Sequence, residues 1–234
     1  MTTIADNLQR VHARIAAACA AAARAPDAVQ LLAVSKTFGP EAVREAAACG
    51  QRAFGENYVQ EAVEKIALLQ DLRGTLGLAW HMIGPMQSNK TRLVAQHFDW
   101  AHTVDRLKVA QRLSEQRPDG LAPLKVCLQV NIDGGATKSG VAPGEVLALA
   151  REVARLPRLQ VRGLMTIPEP DDDPLRQRAV HGKTRALFAE IAAARVPGLE
   201  HFDTLSMGMS ADLEAAVEAG STMVRIGTAL FGRR

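Results

Sequence analysis

The stretch LLAVSKT at residues 31–37 is an apolar run that closes on the ammonium group of Lys36. A turn at Gly39 and Pro40 follows at once, so the pattern predicts a short buried strand. Lysine is among the residues least often buried, and an amine partly removed from water loses its charge more readily and can attack a carbonyl group. Lys36 is therefore a candidate nucleophile, although a strand-end lysine can also extend its ammonium group into solvent.

Runs of this kind recur along the chain, and longer segments of helical period separate them. They lie at residues 31–37, 52–57, 79–84, 100–104, 124–131, 161–168, 202–209 and 223–227. Eight strand–helix units in about 250 residues is the size of a closed barrel, whereas a doubly wound sheet more often has five or six strands. We therefore predict an α/β fold, a (β/α)8 TIM barrel.

The segment before the first run predicts an extra N-terminal helix. Its apolar residues recur at steps of three and four, the pattern of a helix that packs on a domain through one face. They are Ile4, Leu8, Val11, Ile15 and Cys19. No shift in composition marks a boundary, and the proline- and aspartate-rich stretch at 168–174 has the character of a loop within the barrel. We predict one domain over residues 1–234.

Composition excludes several classes of function. The net charge is +3 and aromatic residues make up 4% of the chain, with no basic stripe of the kind that binds nucleic acid. The three cysteines lack C-x-x-C spacing, so neither a disulfide framework nor a metal site is expected, and a reducing cytoplasm fits best. No apolar stretch is long enough to span a membrane.

Polar residues gather where the predicted strands end. In a barrel these ends form one face, which carries the active site, and the loops after strands seven and eight are the usual phosphate site. Ser210 falls after strand seven, and Gly227 and Thr228 fall after strand eight. Glycine allows close approach of the backbone to an anion, and a helix that starts after Ser210 would direct free N–H groups at a phosphate. Ser210 could instead serve only as a helix cap.

A reactive lysine combined with a phosphate cradle indicates a phosphorylated aldehyde, and pyridoxal 5′-phosphate is the obvious candidate. Six segments across nearly the whole chain resemble the pyridoxal phosphate homeostasis protein family, single-domain relatives of the alanine racemase barrel. They are LLAVSKT at 31–37, FGENY at 54–58, WHMIGPMQSNK at 80–90, GLMTIP at 163–168, LSMGMS at 205–210 and MVRIGTALFG at 223–232.

The resemblance implies a fold-type III site in which Lys36 carries pyridoxal 5′-phosphate as a Schiff base. It also implies roles for six other residues. Ser210, Gly227 and Thr228 would hold the phosphate, Arg225 would face the pyridine nitrogen, and Asn57 and His81 would line the surroundings of the ring. A cation at the position of Arg225 keeps the nitrogen unprotonated, which weakens the ring as an electron sink.

The resemblance also bears on whether the protein is an enzyme. A racemase of this lineage uses a tyrosine that a C-terminal β-domain supplies across a dimer, whereas this chain ends at Arg234 and its one tyrosine is Tyr58. We therefore expect a non-catalytic cytoplasmic monomer that buffers and delivers the cofactor, indirectly affecting amino-acid and keto-acid metabolism. Its expected partners are amines and amino acids that exchange with the cofactor, and apoenzymes that depend on it.

Two alternatives stay open at this point. One is a pyridoxal phosphate-dependent racemase or lyase, and the other is an aldolase that uses Lys36 without a cofactor. Whether Lys90 or Lys138 forms a secondary binding site is also left open by the sequence.

Overall fold

The computed structural model describes residues 3–135 and 138–232. Both ends of the predicted domain, residues 1–2 and 233–234, lie outside the described residues, as do residues 136–137. Within the described part, eight parallel strands pair in chain order, and β1 closes the barrel against β8 with Ala33 opposite Ile226. The strands are β1 Gln30–Val34, β2 Ala53–Glu56, β3 Ala79–Met82, β4 Trp100–Val104, β5 Leu124–Val130, β6 Leu159–Thr166, β7 Thr204–Ser206 and β8 Met223–Ile226. The predicted (β/α)8 barrel and its eight strands are confirmed.

Helices follow the strands and cover the outside of the barrel. They are α1 Ile4–Ala21, α2 Pro40–Ala48, α3 Val59–Leu68, α4 Gln70–Leu76, α5 Thr91–His97, α6 Leu107–Gln116, α7 Val146–Ala154, α8 Pro174–Ala193, α9 Leu213–Glu218 and α10 Thr228–Phe231. Because helices cover the strands on one side and the barrel encloses the other, both faces of each strand are buried. This explains why the strands have continuous apolar runs instead of alternating patterns.

The extra N-terminal helix is also confirmed. Thr3 caps α1 by accepting a hydrogen bond from the Asp6 N–H, and Asp6 bonds back to the Thr3 N–H. The predicted apolar stripe is buried at Leu8, Val11 and Ile15. The helix packs against α9 and α10, so it covers the side of the barrel where the last strands lie.

The barrel interior is only partly apolar. Alternate residues of β1 point inward, where Leu32 and Val34 pack with residues of β2, β8 and the β3 end. Trp100, Cys127 and Met165 form a second small apolar cluster. Polar side chains, described below, lie between these clusters and the cavity at the carboxyl ends of the strands.

The predicted carboxyl ends of most strands lie one to three residues beyond the observed ends, and the difference is largest for β1 and β7. β1 ends at Val34, so Lys36 lies in the loop after the strand. β7 ends at Ser206 instead of residue 209 because Gly208 turns the chain in the left-handed region with φ of +92°, a conformation that glycine adopts without strain. No helix among the described residues has both the length and the apolar character needed to cross a membrane.

Candidate functional site

A cavity of about 430 Å³ opens at the carboxyl ends of the strands. Six of the seven predicted site residues line it, although they come from four separate strand ends. The full lining consists of Val34, Lys36, Asn57, Ile83, Ile167, Met209, Ser210, Ala211, Arg225, Gly227 and Thr228. The apolar members of this set were not among the site residues predicted from the sequence. Ile83 and Ile167 lie just after strands β3 and β6, and this position could have predicted that they line the cavity.

Lys36 lies at this cavity with its side chain exposed. The expectation of a partly desolvated amine at a strand end is therefore wrong, because the strand ends two residues earlier. Ser35 is fully buried, and Thr37 adopts the left-handed region with φ of +68°.

Three predicted phosphate ligands come together on one side of the cavity. Among the described residues, the backbone N–H groups of Ser210, Gly227 and Thr228 have no acceptor. A Cβ atom at Gly227 would lie 3.2 Å from the Val34 carbonyl oxygen, so a side chain there would crowd β1. Free N–H groups, hydroxyls and a close backbone approach are the features of an anion site.

The helix expected directly after Ser210 begins three residues later. Residues 210–212 form a turn, and α9 begins at Leu213 with Asp212 as its N-cap. The Asp212 carboxylate accepts hydrogen bonds from the Met209 N–H at 2.6 Å and from His181 Nε2 at 2.9 Å. Ser210 is therefore not the cap of α9.

Asn57 brings an unsatisfied acceptor to the cavity. Its Oδ1 atom is buried and has no hydrogen-bond partner among the described residues. A Cβ atom at Gly84 would lie 2.1 Å from the Asn57 carbonyl oxygen, so only glycine permits the loop after β3 to pack on Asn57 this closely. A buried acceptor without a partner is costly, and a ligand with a donor group would remove that cost.

Arg225 is held in place by a chain of buried polar groups. Its guanidinium donates to the Ser206 carbonyl oxygen at 2.6 Å, to Ser206 Oγ at 3.0 Å and to the Thr166 carbonyl oxygen at 2.9 Å. Beyond Ser206 the chain continues through His102 Nδ1, 3.0 Å from Oγ, to His81 Nδ1, 2.9 Å from His102 Nε2. Because arginine can only donate, Ser206 Oγ accepts from it and still has its own hydrogen to donate. Donation of that hydrogen to His102 Nδ1 would place the His102 proton on Nε2, directed at His81 Nδ1.

Burial determines which of these hydrogen-bonded groups are charged. It lowers the pKa of His102 to about 3 and that of His81 well below the ordinary value, so both imidazoles are neutral at neutral pH. Burial also lowers the pKa of Arg225, to about 10, which still leaves the guanidinium charged. The cavity therefore has a fixed positive charge at its base, held by neutral acceptors.

His81 is the one predicted site residue that does not line the cavity. It lies inside the barrel, where its ring stacks on Trp100 with centroids 5.1 Å apart. Its connection to the site runs through His102 and Ser206, which the sequence analysis did not identify. His102 lies in the middle of strand β4, and the residues around it in the sequence do not indicate that it contacts a site residue.

Few groups at the cavity can exchange protons. Among its lining residues only Lys36 and Arg225 have titratable side chains. Tyr58 is 55% exposed and precedes α3 as its N-cap, outside the lining set. Lys138 also lies outside, with its ammonium group 2.8 Å from Asp133 and 3.2 Å from Glu169. The lining therefore offers one amine and no second side-chain base.

The closed barrel, with a lysine after the first strand and, among the described residues, N–H groups without acceptors after the last two, has the form of an alanine racemase-like barrel. Consistent with this, residues 6–234 match the family described as alanine racemase, N-terminal domain. The chain is also 58% identical over 234 residues to the pyridoxal phosphate homeostasis protein of Pseudomonas aeruginosa, with 100% of this chain and 97% of the relative covered. It is 54% identical to the protein of that name from Escherichia coli, with 100% and 98% covered.

A solved structure gives the same result. PipY of Synechococcus elongatus, determined with PLP bound, superposes with a TM-score of 0.84 at 39% identity, covering 98% of this chain and 100% of that chain. The chain belongs to the alanine racemase N-terminal domain family, and within it to the pyridoxal phosphate homeostasis proteins. The resemblance stated from the sequence is confirmed.

Proposed function

We propose that this protein binds pyridoxal 5′-phosphate and maintains its supply inside the cell, as a buffer and carrier that indirectly affects amino-acid and keto-acid metabolism. The observation that carries the proposal is the convergence, in one cavity, of Lys36, Arg225 and three N–H groups that have no acceptor in the described part of the chain. The names of the full-length relatives and the PLP-bound PipY structure support it.

The residues present fit this cofactor group by group. The Lys36 amine would hold the aldehyde carbon covalently, and Ser210, Gly227 and Thr228 would hold the phosphate. Arg225 would face the pyridine nitrogen, and the Asn57 Oδ1 atom, which no described residue hydrogen-bonds, would accept a hydrogen bond from the bound molecule. When bound, the cofactor supplies a reactive aldehyde and an electron-accepting ring.

Arg225 favours holding the cofactor over turnover. Its buried guanidinium stays charged and has only donors to offer, so it opposes protonation of the ring nitrogen that it faces. An unprotonated ring withdraws electrons less strongly from a bound amino acid. The lining also has no second side-chain base, whereas racemisation by two bases needs one on each side of the reacting carbon. We therefore propose a carrier without efficient catalysis.

The proposal extends to the setting in which the protein acts. We place it in the cytoplasm, as a single-domain monomer that exchanges its cofactor with amines and amino acids and passes it to apoenzymes. Cys19, Cys49 and Cys127 are free thiols, as a reducing compartment allows.

The test is reduction of the purified protein with borohydride, followed by peptide mapping. We expect an absorption band of the bound cofactor that reduction abolishes, and a pyridoxyl group on Lys36. A protein that takes up no cofactor, or carries it chiefly on another lysine, would contradict the proposal.

A further inference from the structure

A charge cluster lies directly behind the loop that bears Lys36, with two of its three side chains buried and the third, Glu61, 34% exposed. It consists of Lys65 and Glu61 on α3 and Glu56 at the end of β2, and we refer to it as the Lys65 cluster. The Lys65 ammonium is 2.7 Å from Glu56 Oε1 and 3.2 Å from Glu61 Oε1. The Lys65 side chain is 3% exposed and the Glu56 side chain is completely buried. None of the three residues lines the cavity.

The Lys65 cluster forms hydrogen bonds with the residues on both sides of Lys36. On one side, Lys65 donates to the Ser35 carbonyl oxygen at 2.8 Å, and Ser35 Oγ donates to Glu56 at 2.7 Å. On the other side, the Thr37 N–H donates to Glu61 Oε1 at 2.6 Å. A single charged cluster thus fixes the two peptide units between which Lys36 is placed.

Thr37 makes the need for such anchoring clear. Its φ of +68° lies in the left-handed region, which is unfavourable for a β-branched residue. Conformations of this kind persist only where surrounding contacts impose them. The hydrogen bond from the Thr37 N–H to Glu61 is such a contact. Without it, we expect Thr37 to adopt a more favourable backbone conformation, and the Lys36 side chain would then point in a different direction.

A role in stability alone does not account for this arrangement. Buried ion pairs contribute little net stability compared with apolar residues of similar size, and α3 already packs on the barrel through Val59, Ala62 and Ile66. Because the Lys36 side chain is exposed, its direction depends on the backbone that carries it. We propose that Lys65, Glu56 and Glu61 are positioning residues that aim the Lys36 amine at the aldehyde carbon of the ligand. This inference rests on the proposed function.

The step that these residues would assist is simple to write. The Lys36 nitrogen attacks the aldehyde carbon of pyridoxal 5′-phosphate, a C=N bond forms, and the aldehyde oxygen leaves as water. Positioning accelerates this step without changing how the phosphate is held. Pyridoxine 5′-phosphate, which has an alcohol in place of the aldehyde, reports on the phosphate cradle alone.

The experiment compares two measurements on the full chain. One is the rate at which pyridoxal 5′-phosphate becomes trapped on Lys36, followed by absorbance and confirmed by borohydride reduction with peptide mapping. The other is the affinity for pyridoxine 5′-phosphate. We expect Glu61→Ala and Lys65→Met to slow trapping on the order of 10- to 100-fold, the effect of a misplaced reacting group, with little change in pyridoxine 5′-phosphate affinity. Glu61→Gln keeps an acceptor for the Thr37 N–H and should retain the wild-type rate.

Glu64→Ala is the matched control, since Glu64 is an exposed glutamate on the same helix. Trapping at the wild-type rate in Glu61→Ala and Lys65→Met would overturn the positioning role while leaving the proposed function intact. A parallel loss of trapping and of pyridoxine 5′-phosphate affinity would also overturn it, because the cluster would then support only the fold. A wild-type protein that traps no cofactor on Lys36 would overturn the proposed function itself.

Discussion

Substitution of Gly227 by valine tests the proposed phosphate cradle. In the wild type a Cβ atom at this position would lie 3.2 Å from the Val34 carbonyl oxygen and 3.3 Å from Val34 Cβ, closer than ordinary contact. The two γ-methyl groups of valine add to this crowding, so the backbone of Gly227 and Thr228 has to move away from β1. The N–H groups proposed to bind phosphate move with it.

The size of the effect follows from the hydrogen bonds lost. A hydrogen bond to a charged group contributes about 1.5–3 kcal/mol. Loss of one such bond should raise the Kd for pyridoxal 5′-phosphate roughly 10- to 100-fold, since about 1.4 kcal/mol corresponds to a factor of ten. Unphosphorylated pyridoxal does not use the cradle, so its affinity should change little.

The assay is titration of wild-type and Gly227→Val proteins with both ligands, with circular dichroism to verify folding. Gly144→Val is the matched control, because a Cβ atom at Gly144 meets nothing within 4 Å and the residue lies outside the cavity. Equal losses for pyridoxal and its phosphate in the Gly227 variant would refute the cradle. So would an equal loss in the Gly144 control.

Three further predictions follow from the site and from the barrel interior. Lys36→Ala protein should be colourless after purification, as its absorption spectrum will show, while a retained covalent band would refute the role of Lys36. The free energy of unfolding, measured with urea, should fall as the pH drops from 6.5 toward 3. The reason is that His81 and His102 are protonated in the unfolded chain over this range, whereas burial keeps them neutral in the folded protein, at His102 down to about pH 3. A free energy of unfolding that stays constant over this range would contradict their buried neutral state. Turnover in racemisation assays with alanine and other amino acids should stay far below the roughly 1 to 10³ per second common among enzymes, and efficient racemisation abolished by Tyr58→Phe would replace the carrier by an enzyme.

Local sequence patterns were enough to predict the fold. Each strand is a short apolar run bounded by turn residues, and each run is buried on both faces because helices follow it. The stripe of α1 was predicted in the same way from Leu8, Val11 and Ile15. Boundaries were less accurate where a single residue ends an element, as Gly208 does after β7.

The sequence by itself predicted the barrel and the gathering of Lys36, Ser210, Gly227 and Thr228 on one face, because the strand ends of a barrel meet there regardless of loop detail. Asn57 and Arg225 were predicted from the resemblance to a known family, and they line the same cavity. Only the tertiary structure decided how those residues are supported. Arg225 depends on the carbonyl of Thr166, 59 residues away, and Lys36 depends on the Lys65 cluster across two elements. Such contacts arise from closure of the barrel and the packing of helices on it, and they connect residues whose local sequence carries no sign of their partner.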